Sequence, residues 1–313
     1  MFDLFFRPAA LHIPDGFLNL AVSIVFWVLT IVLVGIAVRR TQGELADRQI
    51  PLMGIMAAFI FAAQMINFPV AGGTSGHLLG GALAGIVLGP WAGMLVMASV
   101  VGIQALLFQD GGLLVMGANI FNMGLITVVI GYGLYKLGES RGKNIRLGLA
   151  FGGAWLSVMA GALLTALQLW LSGTTTLNIV IPAMLGVHAL IGIGEGLITV
   201  GVLTFVARAR PELLSQSGKG EQRGWVIAGV LMSLAVVLLS PFASADPDGL
   251  ERVAEDLGFL NTGLDAPYQV LPDYTLPFLG ETGLSTILSG IIGMIIVAGV
   301  VVLVVRARGP KTA

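Results

Sequence analysis

Three histidines and no cysteine limit the coordination chemistry open to this chain. Without thiols, disulfides and sulfur-ligated metals are excluded, so any metal ion must be held by nitrogen or oxygen. His12 stands in His12-Ile13-Pro14-Asp15-Gly16-Phe17, and His77 in Gly72-Gly73-Thr74-Ser75-Gly76-His77-Leu78-Leu79-Gly80-Gly81-Ala82. Imidazole is a preferred ligand for Ni, Co, Cu and Zn, so a metal shared between these two histidines is one reading. Two unrelated loop histidines are the other, and spacing alone does not separate them. His188 precedes Glu195 by seven positions, which puts both on one helix face. Ionisable groups inside an apolar helix are costly. They mark either an ion path or a hydrogen-bonded pair tying helices together, and the second is favoured. Asp110, Asn119, Asn122 and Gln104 cluster around the polar turn Gln109-Asp110-Gly111-Gly112. Together with Asp15 they would either support the histidine loops from behind or simply join helices. A metalloenzyme would need an acid or base beside the metal, and only Asp15 and Asp110 offer themselves, neither within a motif. Walker A, HExxH and nucleophile motifs are all missing from the sequence, so no catalytic residue is assigned.

The elements that must position these residues are apolar. Of 313 residues 56% are hydrophobic and 11% charged, and the mean hydropathy is +0.94. Soluble domains carry about 25% charged residues, so the expected fold class is an all-α, polytopic membrane helix bundle. A net charge of −1 gives no electrostatic case for nucleic acid. Apolar runs lie at about 20–38, 51–67, 77–89, 91–108, 114–137, 147–171, 179–207, 225–243 and 284–305. That makes nine segments: about seven before residue 210, one of them short, and two after it. With the N-terminus outside and the C-terminus inside, 14 of the 16 Lys and Arg residues fall inside, and only Arg7 and Arg252 outside. On that orientation His12 and His77 share the outer side. Small residues on the tracks Gly76, Gly80, Ala84 and Gly81, Gly85, Gly89 predict a short, close-packed helix with His77 in its first turn. A further track, Gly54, Ala58 and Ala62, would pack inside the chain or dock another membrane protein. Residues 1–11 lack the basic region and apolar core of a signal peptide. The loop from Asp246 to Glu281 carries eight acidic residues against Arg252 alone, a surplus that would attract cations.

These motifs, with Leu88-Gly-Pro-Trp-Ala-Gly93 and the stretch Gln104–Met123, resemble the CbiM/NikM family. Its members are the substrate-capturing membrane components of energy-coupling-factor transporters for cobalt and nickel. Asp246-Pro247-Asp248-Gly249-Leu250-Glu251 resembles the PDGLE module, related to the two-span CbiN/NikN partner. The chain thus resembles a fusion: an extension 1–11, a metal-binding membrane domain 12–210, a cytoplasmic linker 211–224 and a two-span module 225–313. The resemblance implies uptake of Ni2+ or Co2+ as transported substrate across the cytoplasmic membrane. It also implies a CbiQ/NikQ-type membrane coupling protein and a CbiO/NikO-type cytoplasmic ATPase as partners within the lipid bilayer. The family's site uses an N-terminal amine, the main-chain nitrogen and imidazole of the next residue, His, and a second imidazole. Carried over, His12 and His77 supply the imidazoles and Leu11 the amine. Here eleven residues precede His12. Leu11 therefore serves only if the chain is processed after Ala10 or translation begins at codon 11; otherwise Asp3 or water must stand in. Three rival readings are a stand-alone secondary transporter or channel, a metalloenzyme, and a metal-independent assembly subunit. The sparse intramembrane charge beyond Glu195 argues against the first.

Overall fold

A computed structural model describes residues 12–44, 49–209 and 222–306, and there the chain is mainly helical, with almost no strand. Six helical stretches are long and apolar enough to cross a membrane. They are α1 (Leu20–Glu44), α4 (Pro90–Ile103) with its extension to Phe108, α5 (Met116–Asn119) running on into α6 (Thr127–Leu137), α7 (Lys143–Leu171), α8 (Leu177–Ala209) and α11 (Gly283–Arg306). Two shorter apolar helices, α2 (Gln49–Gln64) and α9 (Gln222–Leu239), and the eight-residue α3 (Gly81–Leu88) complete seven segments in the first part and two in the second. At 1.5 Å per residue the 24 residues of α11 reach about 36 Å, enough for a hydrocarbon core of about 30 Å, whereas α3 reaches only about 12 Å. Leu20, Ile24, Val28 and Ile31 of α1 point outward and exposed, a surface that lipid covers. The chain is a multi-pass helical membrane protein.

Small residues set the packing. α7 turns Ala150, Gly153, Ala154, Ser157, Gly161, Ala162 and Ala166 into the bundle, which lets α8 and α6 approach closely. α3 is wedged between α4 and α6: a Cβ on Gly85 would stand 2.6 Å from the Val128 carbonyl, and one on Gly131 2.4 Å from Ala82 Cα. The track Gly54, Ala58, Ala62 packs inside the chain, with Gly54 facing Ala298 and Val302 of α11.

Two expectations about His77 and its neighbours are corrected. The short helix begins at Gly81, so His77 lies outside it, in an extended segment after the hairpin of β1 (Phe68–Val70) and β2 (Thr74–Gly76). The cause is Gly80, whose φ of 79° is left-handed and starts the helix only after it. His188 and Glu195 do not form a pair. His188 Nδ1 lies 2.8 Å from the Met184 carbonyl of its own helix, and Glu195 turns to the His77 segment.

The loop between α9 and α11 folds back over the first part of the chain. Within it α10 (Gly249–Leu257) is started by a reciprocal cap: Asp248 accepts from Leu250 and Glu251 N–H at 2.8 Å, and Glu251 accepts from Asp248 N–H at 3.2 Å. α4 ends in a π-helical turn, Gln104–Phe108, and the loop uses the carbonyls there. Tyr268 donates its hydroxyl to Leu106 O, and Leu271 N–H donates to Leu107 O, both at 2.9 Å.

Candidate metal centre

His12 is held by a fastened loop. The Asp15 carboxylate accepts the N–H groups of Leu113, Leu114 and Val115 at 2.9, 2.9 and 3.2 Å, which closes the start of α5. Asn119 brackets Ile13, accepting from its N–H and donating to its carbonyl, each at 3.0 Å. Gly112 passes so near that a Cβ there would stand 2.1 Å from Asp15 Oδ1. His12 is thereby buried, with Nδ1 3.2 Å from the Asp110 main-chain oxygen and 2.7 Å from Asp110 Oδ1. Asp110 thus faces Nδ1 with two oxygens, its carbonyl and, closer, its carboxylate. Nε2 of His12 is buried and has no hydrogen-bond partner among the described residues.

His77 comes from the other side. Glu195, fully buried in α8, accepts the N–H of Leu79 at 2.7 Å and of Gly80 at 2.9 Å, while Gln64 donates to Leu79 O at 2.7 Å. Ser75 ties the preceding strand to the loop, its N–H donating to Pro247 O at 2.8 Å and its hydroxyl to Asp246 O at 2.7 Å. His77 Nδ1 lies 3.0 Å from Leu78 O, so an Nδ1–H tautomer donates there and carries the ring lone pair on Nε2. The two imidazoles meet edge to face with centroids 5.8 Å apart. Between them lies a cavity of about 70 Å³, bordered also by His188, Asn122, Asp248 and Gly249. That exceeds the volume a single water needs.

The charges around the two rings are set by burial and by the neighbouring carboxylates. Burial alone would lower the His12 pKa, but the adjoining Asp110 carboxylate outweighs it and holds the ring above its ordinary 6.5. Burial would raise Asp110, yet His12 and the Tyr274 hydroxyl keep it below the usual carboxylate value. Asp248 is pushed upward by burial, against the partial opposition of His77 and the α10 N–H groups.

Of the residues singled out from sequence, His12, His77 and Asn119 come together around the cavity, while Asp110 stands behind His12 at its Nδ1. Asn122 lines it too, but its amide is spent on Gln168, at 2.7 and 2.8 Å, and on Thr165. Asp15 acts one step back, through the 113–115 amides. Leu11 lies outside the described residues, as do Asp3 and most of the linker 211–224. No group of three or more His, Asp or Glu side chains close enough to hold an ion occurs among the described residues. Sequence reasoning missed Glu195 as the clamp on the His77 segment, although a lone acid in an apolar helix was a signal. It also missed the approach of Asp248 to the two histidines and of Tyr274 to Asp110, for which the local sequence carries none.

Comparison with known proteins gives this geometry its family. Residues 12–213 match the family described as CbiM, cobalt uptake substrate-specific transmembrane region. The chain belongs to the CbiM family. Residues 223–308 match the PDGLE domain. A putative fused nickel transport protein NikMN of Archaeoglobus fulgidus is 39% identical over 92% of this chain and 95% of its own length. A probable fused nickel transport protein LarMN of Lactiplantibacillus plantarum is 37% identical over 74% of each chain. The crystal structure of a truncated transition metal transporter superposes with a TM-score of 0.58 at 34% identity, covering 63% of this chain and 99% of that one. Its relatives are therefore metal transport proteins, and the CbiM region here carries a PDGLE module at its C-terminal end.

Proposed function

We propose that this chain is the metal-capturing component of a transporter that imports Ni2+ or Co2+, and that His12 and His77 bind the ion. The observation that carries this reading is the orphaned, buried Nε2 of His12 facing a cavity shared with His77. A buried nitrogen without a partner is costly unless something binds it, and imidazole nitrogens suit these two ions. The resemblance adds the main-chain nitrogen of His12 and a free amine at Leu11 as further donors. Asp110 orients the His12 ring as a carboxylate commonly orients a metal-bound histidine.

The distribution of basic residues supports an outward-facing site and an inward C-terminus. With no nucleotide-binding motif of its own, the chain would draw its energy from a CbiQ/NikQ-type coupling protein and a CbiO/NikO-type ATPase. Domain limits at residues 12–210 and 225–313 follow from the same reading.

The test is metal content and Ni2+ and Co2+ binding of the purified protein, wild type and His77→Ala, with the N-terminus read by mass spectrometry. Near-stoichiometric metal lost in the variant is expected, and the preferred ion names the substrate. Metal-free wild type with a mature terminus at residue 11 would refute the reading in favour of an assembly role or a channel. Metal-free protein retaining Met1 would refute capture by the unprocessed chain and locate the missing donor at the blocked amine.

A further inference from the structure

Behind His12, on the side away from the cavity, stands a tyrosine from the C-terminal module. The Tyr274 hydroxyl donates to Asp110 Oδ2 at 2.5 Å and accepts from Gln104 Nε2 at 3.0 Å. The other carboxylate oxygen of Asp110 is the one 2.7 Å from His12 Nδ1. An unbroken file of contacts thus runs from the PDGLE loop through Asp110 to the ring whose Nε2 faces the cavity. All three side chains are buried.

The tyrosine is fixed from every side. Its ring stacks on Phe108 at 4.8 Å and 21°, with Phe61 next to it at 6.0 Å. Its carbonyl accepts from the Ser289 hydroxyl of α11, and the following turn is pinned where Leu276 N–H donates to Ser285 Oγ at 2.6 Å. Asp273 and Tyr274 both have left-handed backbones, with φ of 52° and 56°, although neither is glycine. Such strain persists only where the surroundings over-determine it, and it gathers at functional positions. Here it delivers one hydroxyl to one carboxylate oxygen.

We infer that Tyr274 is a positioning residue for metal capture: acting through Asp110, it sets the His12 ring, so that the C-terminal module completes a site built in the N-terminal one. The inference rests on the metal-capture reading above. Partners one shell out from a metal ligand, here Asp110, typically hold 10–100-fold of its affinity, and Tyr274 acts one contact further back.

The test uses the purified full chain and Ni2+ alone, with affinity from chelator competition and the Ni2+ ligand-field absorption band as a second readout. Tyr274→Phe keeps the ring and its stack on Phe108, so the fold stays. It is expected to weaken Ni2+ several-fold, up to about tenfold, the low end of what a direct partner of the ligand holds, and to move the band. On an Asp110→Asn background the same change is expected to add nothing, because the file is already cut. Affinity within about twofold of wild type in Tyr274→Phe overturns the inference, as do losses that simply add on the double variant. Weakening with an unmoved band overturns it too, since a loosened fold would do that. Should Asp110→Asn bind no nickel at all, the affinity and band of Tyr274→Phe alone decide. A wild-type chain that takes no nickel refutes the metal-capture reading itself, a different result from nickel bound equally well by both.

Discussion

Glu195→Gln tests how the membrane interior holds the His77 segment. The carboxylate receives two N–H groups, Leu79 at 2.7 Å and Gly80 at 2.9 Å, in full burial. Among the described residues these amides have no other acceptor. Glutamine matches the shape but offers one oxygen, so one N–H keeps its bond and the other faces an NH2 group. Leaving one buried N–H unsatisfied costs about 1–3 kcal/mol, which corresponds to roughly 5–150-fold in the opening of residues 77–80. Hydrogen exchange at the two amides reads that whole factor, so protection should fall by it. Nickel affinity should fall by up to the same factor, and by less if the segment stays mostly closed, since apparent affinity scales with the competent fraction. The change is local, because Gln64 still bonds Leu79 O and the helix packing is untouched. Amide protection within about twofold of wild type would refute the clamp, whatever the metal affinity does.

Two further outcomes follow from the same geometry. Binding at His12 Nε2 needs an unprotonated nitrogen, and the ring titrates above its ordinary 6.5. Nickel affinity should therefore drop as pH falls below that raised value, approaching about tenfold per unit. The apo loop should behave oppositely: the His12–Asp110 contact stabilises it fully below the unfolded pKa and is lost as pH rises through the folded one. A flat affinity profile between about pH 8 and pH 6 would count against His12 as the ligand. Gly112→Ala places a Cβ 2.1 Å from Asp15 Oδ1 and 2.2 Å from Asp15 N, backbone that cannot yield cheaply. It should destabilise the chain by about 1–3 kcal/mol, as overpacking does, and weaken nickel binding with it. An unchanged thermal midpoint would show that the 12–17 loop is not held as described.

By itself the sequence made the helical, multi-pass character legible, because twenty-residue apolar runs are local facts that the bilayer reads directly. It also determined which side chains had the chemistry to hold a cation, since with no cysteine and three histidines the choice was short. Tertiary structure decided which of those came together. His12 and His77 stand 65 positions apart, and their 5.8 Å approach depends on Asp15, Asn119 and Glu195 fastening two loops from opposite sides. It moved His77 out of the helix that the small-residue tracks had suggested, because Gly80 takes a left-handed backbone and Glu195 captures the amides before it. It separated His188 from Glu195, which share a helix face but find different partners. The placement of Tyr274 against Asp110 rests on a contact across 164 positions and on a stack with Phe108, neither of which leaves a periodic trace in the chain. Periodicity records which face of an element is buried; it does not record what that face meets, which is fixed only when distant segments pack.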